Sequence, residues 1–238
     1  MKIRSILCLF ICFVFNGAFA ESSFVTLTNP EGKEIVAKIV MLQREYVTIE
    51  LKESGQELRT EMSMFSAESQ KLIKNWAVDK AVAESLEFGV ASKRFSSDSG
   101  STDSTFWRDS KEGYTVRATN HSRFPIKGVT AKYCIVIKRE SLGRKKSSEY
   151  RLEHQTGHLE FPVIASDETV KLETTGVALR EEKLNGGWVM ANGGQEDAED
   201  ELEGIIIEFY YKDEMIFRDS KPNTLIKDYS VDGPRGRR

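Results

Sequence analysis

Histidine is the residue of this sequence with the widest range of chemistry, and the chain contains His121, His154 and His158. The last two are four residues apart, a spacing that places two zinc-binding imidazoles on one face of a helix. The segment between them, Gln-Thr-Gly, predicts a turn between strands instead. Along a strand, four residues span about 13 Å, which is too far for two ligands of one zinc ion. The sequence therefore predicts no metal site.

An acidic run is a second candidate for ion binding. It comprises Glu196, Asp197, Glu199, Asp200, Glu201 and Glu203. A calcium-binding EF-hand loop needs a glycine at its centre, and this run contains none. We interpret the run as a solvated loop.

A basic cluster around residues 139–148 has the composition of an anion-binding surface. Its members are Lys138, Arg139, Arg144, Lys145, Lys146 and Arg151. The cluster lacks a series of interleaved aromatic residues for stacking on bases, and the whole chain has a net charge of −3. The sequence therefore predicts no nucleic-acid partner. We interpret the cluster as a charged hairpin tip that protects a sheet edge, with an anionic polymer or lipid headgroup as the alternative ligand.

Motifs of common catalytic sites are absent from the sequence: there is no serine nucleophile elbow, Walker loop or dinucleotide-binding fingerprint. Cys134 lies in the middle of a predicted strand with no histidine nearby. We interpret it as a small buried apolar residue, with a reactive thiol as the alternative. The sequence predicts that the protein is not an enzyme and has no catalytic residues and no cofactor. A hydrolase with a dispersed site is the alternative.

Exposed aromatic side chains are the remaining candidates for binding. Tyr46 lies on the polar face of its predicted strand, and Trp107 and Trp188 lie in loop-like contexts. A tryptophan on a loop stacks on a sugar ring or anchors a protein contact, whereas local packing is the alternative. Tyr46, Trp107 and Trp188 are therefore the predicted partner-binding residues.

The N-terminus has the pattern of a secretory signal peptide at residues 1–20. A basic start is followed by an apolar run and by Ala18-Phe19-Ala20, which predicts cleavage between Ala20 and Glu21. The apolar run is about half as long as the roughly 20 residues that span a bilayer. The sequence predicts a secreted or periplasmic protein with no transmembrane segment after cleavage.

The first module of the mature chain, residues 21–85, reads as a small β-meander and a connector helix. Strands are predicted at residues 24–28, 35–41 and 47–51 and near Leu58, because apolar and polar residues alternate there. Ser66 is a suitable N-cap for a helix. A meander this short buries its apolar face best as a small barrel.

A family resemblance rests on three segments of this module, NPEGKE at 29–34, ESGQE at 53–57 and FSAESQ at 65–70. In their order they resemble the SLA1 homology domain 1, as found after signal peptides in secreted proteins of planctomycetes and verrucomicrobia. The resemblance covers residues 24–76 and implies an SH3-like barrel. Eukaryotic members resemble readers of short linear peptides. This sequence departs from the family at Ser69, where an acidic residue is usual.

The second module, residues 86–230, is predicted to be an antiparallel β-sandwich that resembles immunoglobulin-like or fibronectin-like domains. Seven or eight short strands with polar turns, and no helical period between them, favour this architecture. Residues 96–105 are interpreted as a solvated loop, residues 187–190 as a strand, and residues 231–238 as a disordered tail. The fold class is therefore mainly β.

These observations favour a non-catalytic interaction or structural protein of the envelope that binds a protein or peptide. A carbohydrate-binding sandwich is the alternative, because Trp107 and Trp188 are suited to stacking on sugars.

Overall fold

A computed structural model of the protein describes residues 23–146 and 149–236. The predicted leader and its cleavage point lie outside the described residues. The chain forms two compact units, which divide between Ile73 and Lys74. Both are built mainly from antiparallel strands, so the predicted fold class is confirmed.

The first unit is a four-stranded antiparallel meander. Its strands are β1 (Val25–Thr28), β2 (Glu34–Gln43), β3 (Tyr46–Leu51) and β4 (Glu57–Glu61), and they are neighbours in that order. Leu27, Ala37, Val47 and Ile49 are fully buried because they occupy alternate positions on one face. The four predicted strands are confirmed, whereas the family resemblance stays a prediction.

Two serines connect the meander to the start of helix α1 (Ala67–Ser85), which follows a short 3-10 turn at Met62–Met64. The Ser66 hydroxyl caps the helix by accepting a hydrogen bond of 3.3 Å from the Ser69 N–H. The buried Ser69 hydroxyl accepts a bond of 2.8 Å from the Thr28 N–H. Ser69 therefore satisfies a backbone group at the end of β1.

The second unit contains the rest of α1 and two packed sheets. Its strands are β5 (Leu86–Ser101), β6 (Thr105–Asn120), β7 (Val129–Arg139), β8 (Arg151–Glu160), β9 (Thr169–Glu173), β10 (Val177–Leu184), β11 (Asp197–Glu199), β12 (Glu201–Tyr211), β13 (Glu214–Lys221), β14 (Tyr229–Ser230) and β15 (Gly233–Pro234). One sheet has the order β11-β10-β6-β5, with β9 also paired to β6, and the other has the order β13-β12-β7-β8. This is the predicted antiparallel sandwich.

The main core lies between these two sheets. Phe209 is fully buried and stacks on Phe88 with ring centroids 4.0 Å apart. Other members come from alternate positions of the central strands, including Val90, Val116, Ala118, Tyr133, Ile135, Ile205 and Ile207. Each valine, isoleucine or phenylalanine among them stabilises the fold by about 1.5–3 kcal/mol relative to exposure.

A smaller core lies on the opposite face of β7 and β12. Cys134, Val136 and Ile206 pack there against residues of the C-terminal segment, Leu225 and Val231. That segment forms a 3-10 turn at Asn223–Lys227 and the β14–β15 pair. The predicted disordered tail at 231–238 is therefore wrong for residues 231–236, because apolar residues on the outer face of the sheet need a cover. The predicted burial of Cys134 is confirmed.

Three further predictions about local structure are wrong. Residues 96–101, expected in a loop, continue β5 and pair with β6. Residues 187–190, expected as a strand, belong to the connection between β10 and β11. Gln155–Gly157, expected as a turn, lies inside β8, so that His154 and His158 are two exposed positions of one strand. No group of three potential metal ligands occurs within the described ranges.

Candidate functional site

A cleft of about 470 Å³ opens in the second unit. It is lined by residues from β5, β6, β10 and β11, from the start of β12, and by Lys221 of β13. The residues that carry its chemistry are Ser92, Arg94, Arg108, Ser110, Glu112, Tyr114, Glu181, Glu199, Glu203 and Lys221. The volume lies within the range of about 300–1,000 Å³ that is typical of ligand pockets.

The alternation of β6 explains why the cleft is polar. Tyr114, Val116 and Ala118 are buried in the core, and Arg108, Ser110 and Glu112 occupy the same face of the strand two residues apart. The sheet face that buries apolar residues at one end therefore presents charged residues at the other. We call these two parts the apolar half and the charged half of the face.

Ion pairs between neighbouring strands fix the side chains of the charged half. Arg94 Nε of β5 lies 2.6 Å from Glu112 Oε1 of β6, and Arg108 Nη1 of β6 lies 3.0 Å from Glu181 Oε2 of β10. The Ser110 hydroxyl also donates to Glu112, at 3.2 Å. These bonds hold the walls of the cleft in one arrangement.

Tyr114 lies where the two halves meet, directly opposite Ser92 in the register of β5 and β6. It lines the cleft although it is only 6% exposed. Its hydroxyl makes no hydrogen bond to any residue that the structure describes. Burial, and then the charge of Glu112, raise the pKa of Tyr114 to about 12. The hydroxyl is therefore protonated at neutral pH and can both donate and accept a hydrogen bond.

Carboxylates form the rim of the cleft, and two of them have no cationic partner. Glu112, Glu181, Asp200 and Glu201 each form an ion pair. Glu199 and Glu203 form none within the described residues. Burial, followed by repulsion from Glu181, Glu201 and Glu140, raises the pKa of Glu199. The potential at the rim is therefore negative.

The acidic run and the basic cluster, which looked unrelated in the sequence, neutralise each other beside the cleft. Arg139 Nη1 lies 2.7 Å from Asp200 Oδ2, and Lys138 Nζ lies 3.2 Å from Glu201 Oε2. Arg144 of the cluster pairs with a carboxylate outside the run, and its Nη2 lies 2.6 Å from Glu140 Oε2. The side chains of Arg144 and Glu140 are 9% and 7% exposed. The interpretation of the run as a solvated loop is wrong, because Asp197–Glu199 forms β11 and Glu201 begins β12.

None of the three predicted partner-binding residues lines the cleft. Tyr46, in the first unit, is 41% exposed, and the Arg59 guanidinium lies 4.9 Å from its ring centroid. Trp188 lies in the connection between β10 and β11 and is 54% exposed, beside Val189 at 74%. The binding role of both residues stays a prediction.

Trp107 lies within β6, not in the expected loop. It pairs with Gly100 of β5 and Glu182 of β10. A side chain at Gly100 would meet the indole at 2.7 Å, so the glycine leaves room for the ring. The Arg180 guanidinium lies 5.8 Å from the ring centroid. Trp107 therefore lies on the outer face of its sheet, away from the cleft, and its binding role also stays a prediction.

A signal for the cleft was present in the sequence and was missed. Arg108, Ser110 and Glu112 continue, in phase, the alternation that makes Tyr114 and Val116 core residues. Polar residues at core-facing positions indicate that the strand continues beyond the packed core. The partners on β10 and β12 could not be found in this way, because they are distant in sequence.

Comparisons with known proteins add no function to this geometry. No protein-family model matches the chain, and no curated protein matches it. The α-helix of the described region is too polar to cross a membrane, and no other described helix is long enough.

Proposed function

We propose that the protein is a non-catalytic interaction protein whose second unit binds a segment of a protein or peptide partner in the cleft. The observation that carries the proposal is the Tyr114 hydroxyl, which lines the cleft and has no partner within the described chain. A group of a bound partner can exchange a hydrogen bond with this hydroxyl in place of water. The predicted leader favours a secreted or periplasmic setting.

The cleft chemistry is better suited to binding than to catalysis. Its lining includes no histidine or cysteine of the described chain. The Ser92 and Ser110 hydroxyls therefore have no imidazole beside them to act as a general base. Glu112 and Glu181 are already paired with arginines at 2.6 and 3.0 Å. These features support a preformed polar surface for recognition.

Photo-cross-linking from the cleft tests this proposal. Ser92 lines the cleft, whereas the adjacent Ala91 lies on the opposite face of β5, and both are exposed. A photoreactive amino acid at position 92, in the full chain exposed to envelope extract, is expected to capture a protein that can be identified from its cross-linked peptide. The same group at position 91 is the matched control.

Two outcomes would contradict the proposal. Equal capture from positions 91 and 92 would show that the cleft has no special role. Turnover of a peptide or glycoside panel that Glu112→Gln abolishes would replace binding with hydrolysis.

We propose glycan binding at Trp107 as a second candidate function. The specific observation is that the indole lies beside hydrogen-bonding groups: Arg180 Nε lies 2.6 Å from Glu182 Oε1, and Arg180 Nη1 lies 3.5 Å from Asp109 Oδ1. An aromatic ring flanked by carboxylates and a guanidinium suits a sugar ring with several hydroxyls. Glycan-array binding that is lost in Trp107→Ala, and kept in Trp188→Ala, is the expected result. Binding that survives both changes would exclude these residues.

A further inference from the structure

We propose that the partner segment binds as an added β-strand along a free edge of β12, at residues 201–203 in the cleft. This inference rests on the proposed function and specifies how the partner is held. The ligand is an extended segment of a protein chain, which the cleft recognises through backbone N–H and C=O groups. Addition of a peptide strand to an exposed sheet edge is a common mode of recognition.

The pairing of β12 defines where its edge is free. On one side, β7 pairs with β12 from Glu201 onward. On the other side, β13 pairs with β12 only from Ile205, which lies opposite Lys221 at the end of β13. The chain then turns onto the outer face of the sheet, where Leu225 joins the smaller core. Among the described residues, positions 201–204 therefore have a neighbouring strand on one side alone.

The lining of the cleft indicates that this edge faces it. The residues of β12 that line the cleft are Glu201, Leu202, Glu203 and Gly204. Consecutive side chains of a strand point to opposite faces of the sheet, so a cleft against one face would be lined by every second residue. Four consecutive residues line the same cleft because it runs along the edge of the strand.

The free edge offers backbone groups to a ligand. In a strand with a single neighbour, about half of the N–H and C=O groups point to the open side. The hydrogen bonds that the described chain makes outside its strand ladders include none to the backbone of residues 201–203. An added strand would supply the missing partners.

A second copy of this chain fits the edge poorly. Antiparallel pairing of two such edges, centred on Leu202, would place Glu201 of one copy opposite Glu203 of the other. Like charges directly opposite each other destabilise a sheet. A partner segment with uncharged or basic residues at these positions avoids the repulsion.

Tyr114 adds a hydrogen-bonding group at the same end of the cleft. Lys221, which lies beside the free edge, donates from its Nζ to the Val90 carbonyl at 2.6 Å. Val90 is two residues from Ser92, which lies opposite Tyr114 in the register of β5 and β6. The Tyr114 hydroxyl, without a partner in the described chain, can therefore bond to a polar group of the added strand.

Peptide selection against the full chain tests the inference. The probe is a displayed library of short random peptides, and the strongest binder is then synthesised with one N-methyl group at each backbone nitrogen in turn. We expect methylation of every second nitrogen to weaken binding about 10-fold, because alternate N–H groups of an added strand point to β12. Methylation of the intervening nitrogens should have a much smaller effect. Titration calorimetry measures these affinities.

Two tryptophan variants locate the bound peptide. Ser92→Trp places an indole in the cleft, whereas Ala91→Trp places the same ring on the opposite face of β5, and both positions are exposed. Ser92→Trp is expected to abolish binding of the selected peptide. Ala91→Trp is the matched control and should bind it like the parent protein.

The inference is overturned if no peptide is selected, if the two tryptophan variants weaken binding equally, or if methylation of neighbouring nitrogens has equal effects. A dimer of the parent protein that Ser92→Trp dissociates would assign the edge to a second copy instead. Capture of a partner from position 92, combined with a selected peptide whose methylation shows no alternation, would contradict this inference alone and leave the proposed function standing.

Discussion

The two halves of the inner face of one sheet differ sharply although the same strands build them. In the apolar half, Val90 and Val116 face the second sheet and are almost fully buried. In the charged half, Arg94 and Glu112 lie on the same face and form an ion pair. The backbone hydrogen bonds of β5 and β6 run through both halves. The difference teaches that a β-ladder can extend beyond its core, and that the extension can present charged side chains in a cleft.

Polar groups also differ between the two ends of this face. Asn120, at the end of β6 beyond the apolar half, is fully buried, and its amide donates to the carbonyls of Phe124, Ile164 and Ala165 at 2.7–3.1 Å. Tyr114, at the border of the charged half, has a hydroxyl with no partner in the described chain. One end therefore uses its polar group for stability, while at the other end the polar group lines the cleft.

The largest expected effect comes from deleting an aromatic ring opposite the apolar half. Phe209→Ala removes a fully buried ring that stacks on Phe88. We expect the free energy of unfolding to fall by about 3–5 kcal/mol, because a cavity remains in the core. Urea unfolding followed by circular dichroism measures this loss. A loss below about 1 kcal/mol would show that the core does not depend on this stacking.

A smaller loss is expected when Asn120 becomes acidic. In Asn120→Asp, a carboxylate cannot donate to three carbonyl oxygens and would face them in a fully buried place. We expect a loss of about 3 kcal/mol in the free energy of unfolding. The exposed Asn75→Asp is the control and should unfold like the parent protein. If both variants behave alike, the hydrogen bonds of Asn120 do not support this end of the sheet.

The buried ion pair of Glu140 and Arg144, next to the cleft, predicts that the free energy of unfolding depends on pH. Burial alone would raise the pKa of Glu140, but the Lys138 hydrogen bond, the Glu199 N–H and the charge of Arg144 together lower it. A lowered pKa in the folded state gives stability that is present above the unfolded pKa and is lost as the pH falls through the folded pKa. Glu140→Gln is therefore expected to cost about 2 kcal/mol at pH 7, because the hydrogen bonds to a charged carboxylate are lost.

Unfolding curves measured at pH 7 and at successively lower pH check this prediction. The parent protein and Glu140→Gln should differ at pH 7 and converge as the pH falls through the lowered pKa of Glu140. A difference that persists unchanged in acid would mean that Glu140 acts through packing and not through its charge.

The smallest expected effect on stability comes from the charged half. Glu112→Gln breaks the pair with Arg94, whose side chain is 57% exposed. Exposed pairs contribute about 0–1 kcal/mol, so we expect the free energy of unfolding to change by less than about 1 kcal/mol. A loss as large as that of Phe209→Ala in the same urea titration would abolish the contrast between the two halves.

Strong alternation explains which strands could be predicted from the sequence. Val129–Arg139 and Glu201–Tyr211 include runs in which every second residue is apolar, and both form central strands. Residues 96–101 have no such pattern because both faces of the hairpin are largely exposed there. Backbone hydrogen bonds to β6 hold this part of β5. Because they do not depend on the side chains, the sequence does not reveal them.

The candidate site was harder to predict because its charges pair over long distances. Arg139 and Asp200 are 61 residues apart in the chain. In the sequence, Arg139 therefore belongs to a basic cluster and Asp200 to an acidic run, and nothing indicates that they pair. Likewise, Glu181 reaches the cleft only because β10 pairs with β6. Tyr114 could be placed on the inner face by alternation, but the space around its hydroxyl depends on where the second sheet ends.

The reactivity of Cys134 can report on the C-terminal segment that covers it. Its side chain is fully buried under Leu225 and Val231, and burial, followed by the charge of Asp232, raises the pKa of its thiol to about 11. A thiol reagent can react only when this segment lifts from β7 and β12. The labelling rate of Cys134 therefore serves as a native reporter that times the opening of the chain end, without any engineered probe.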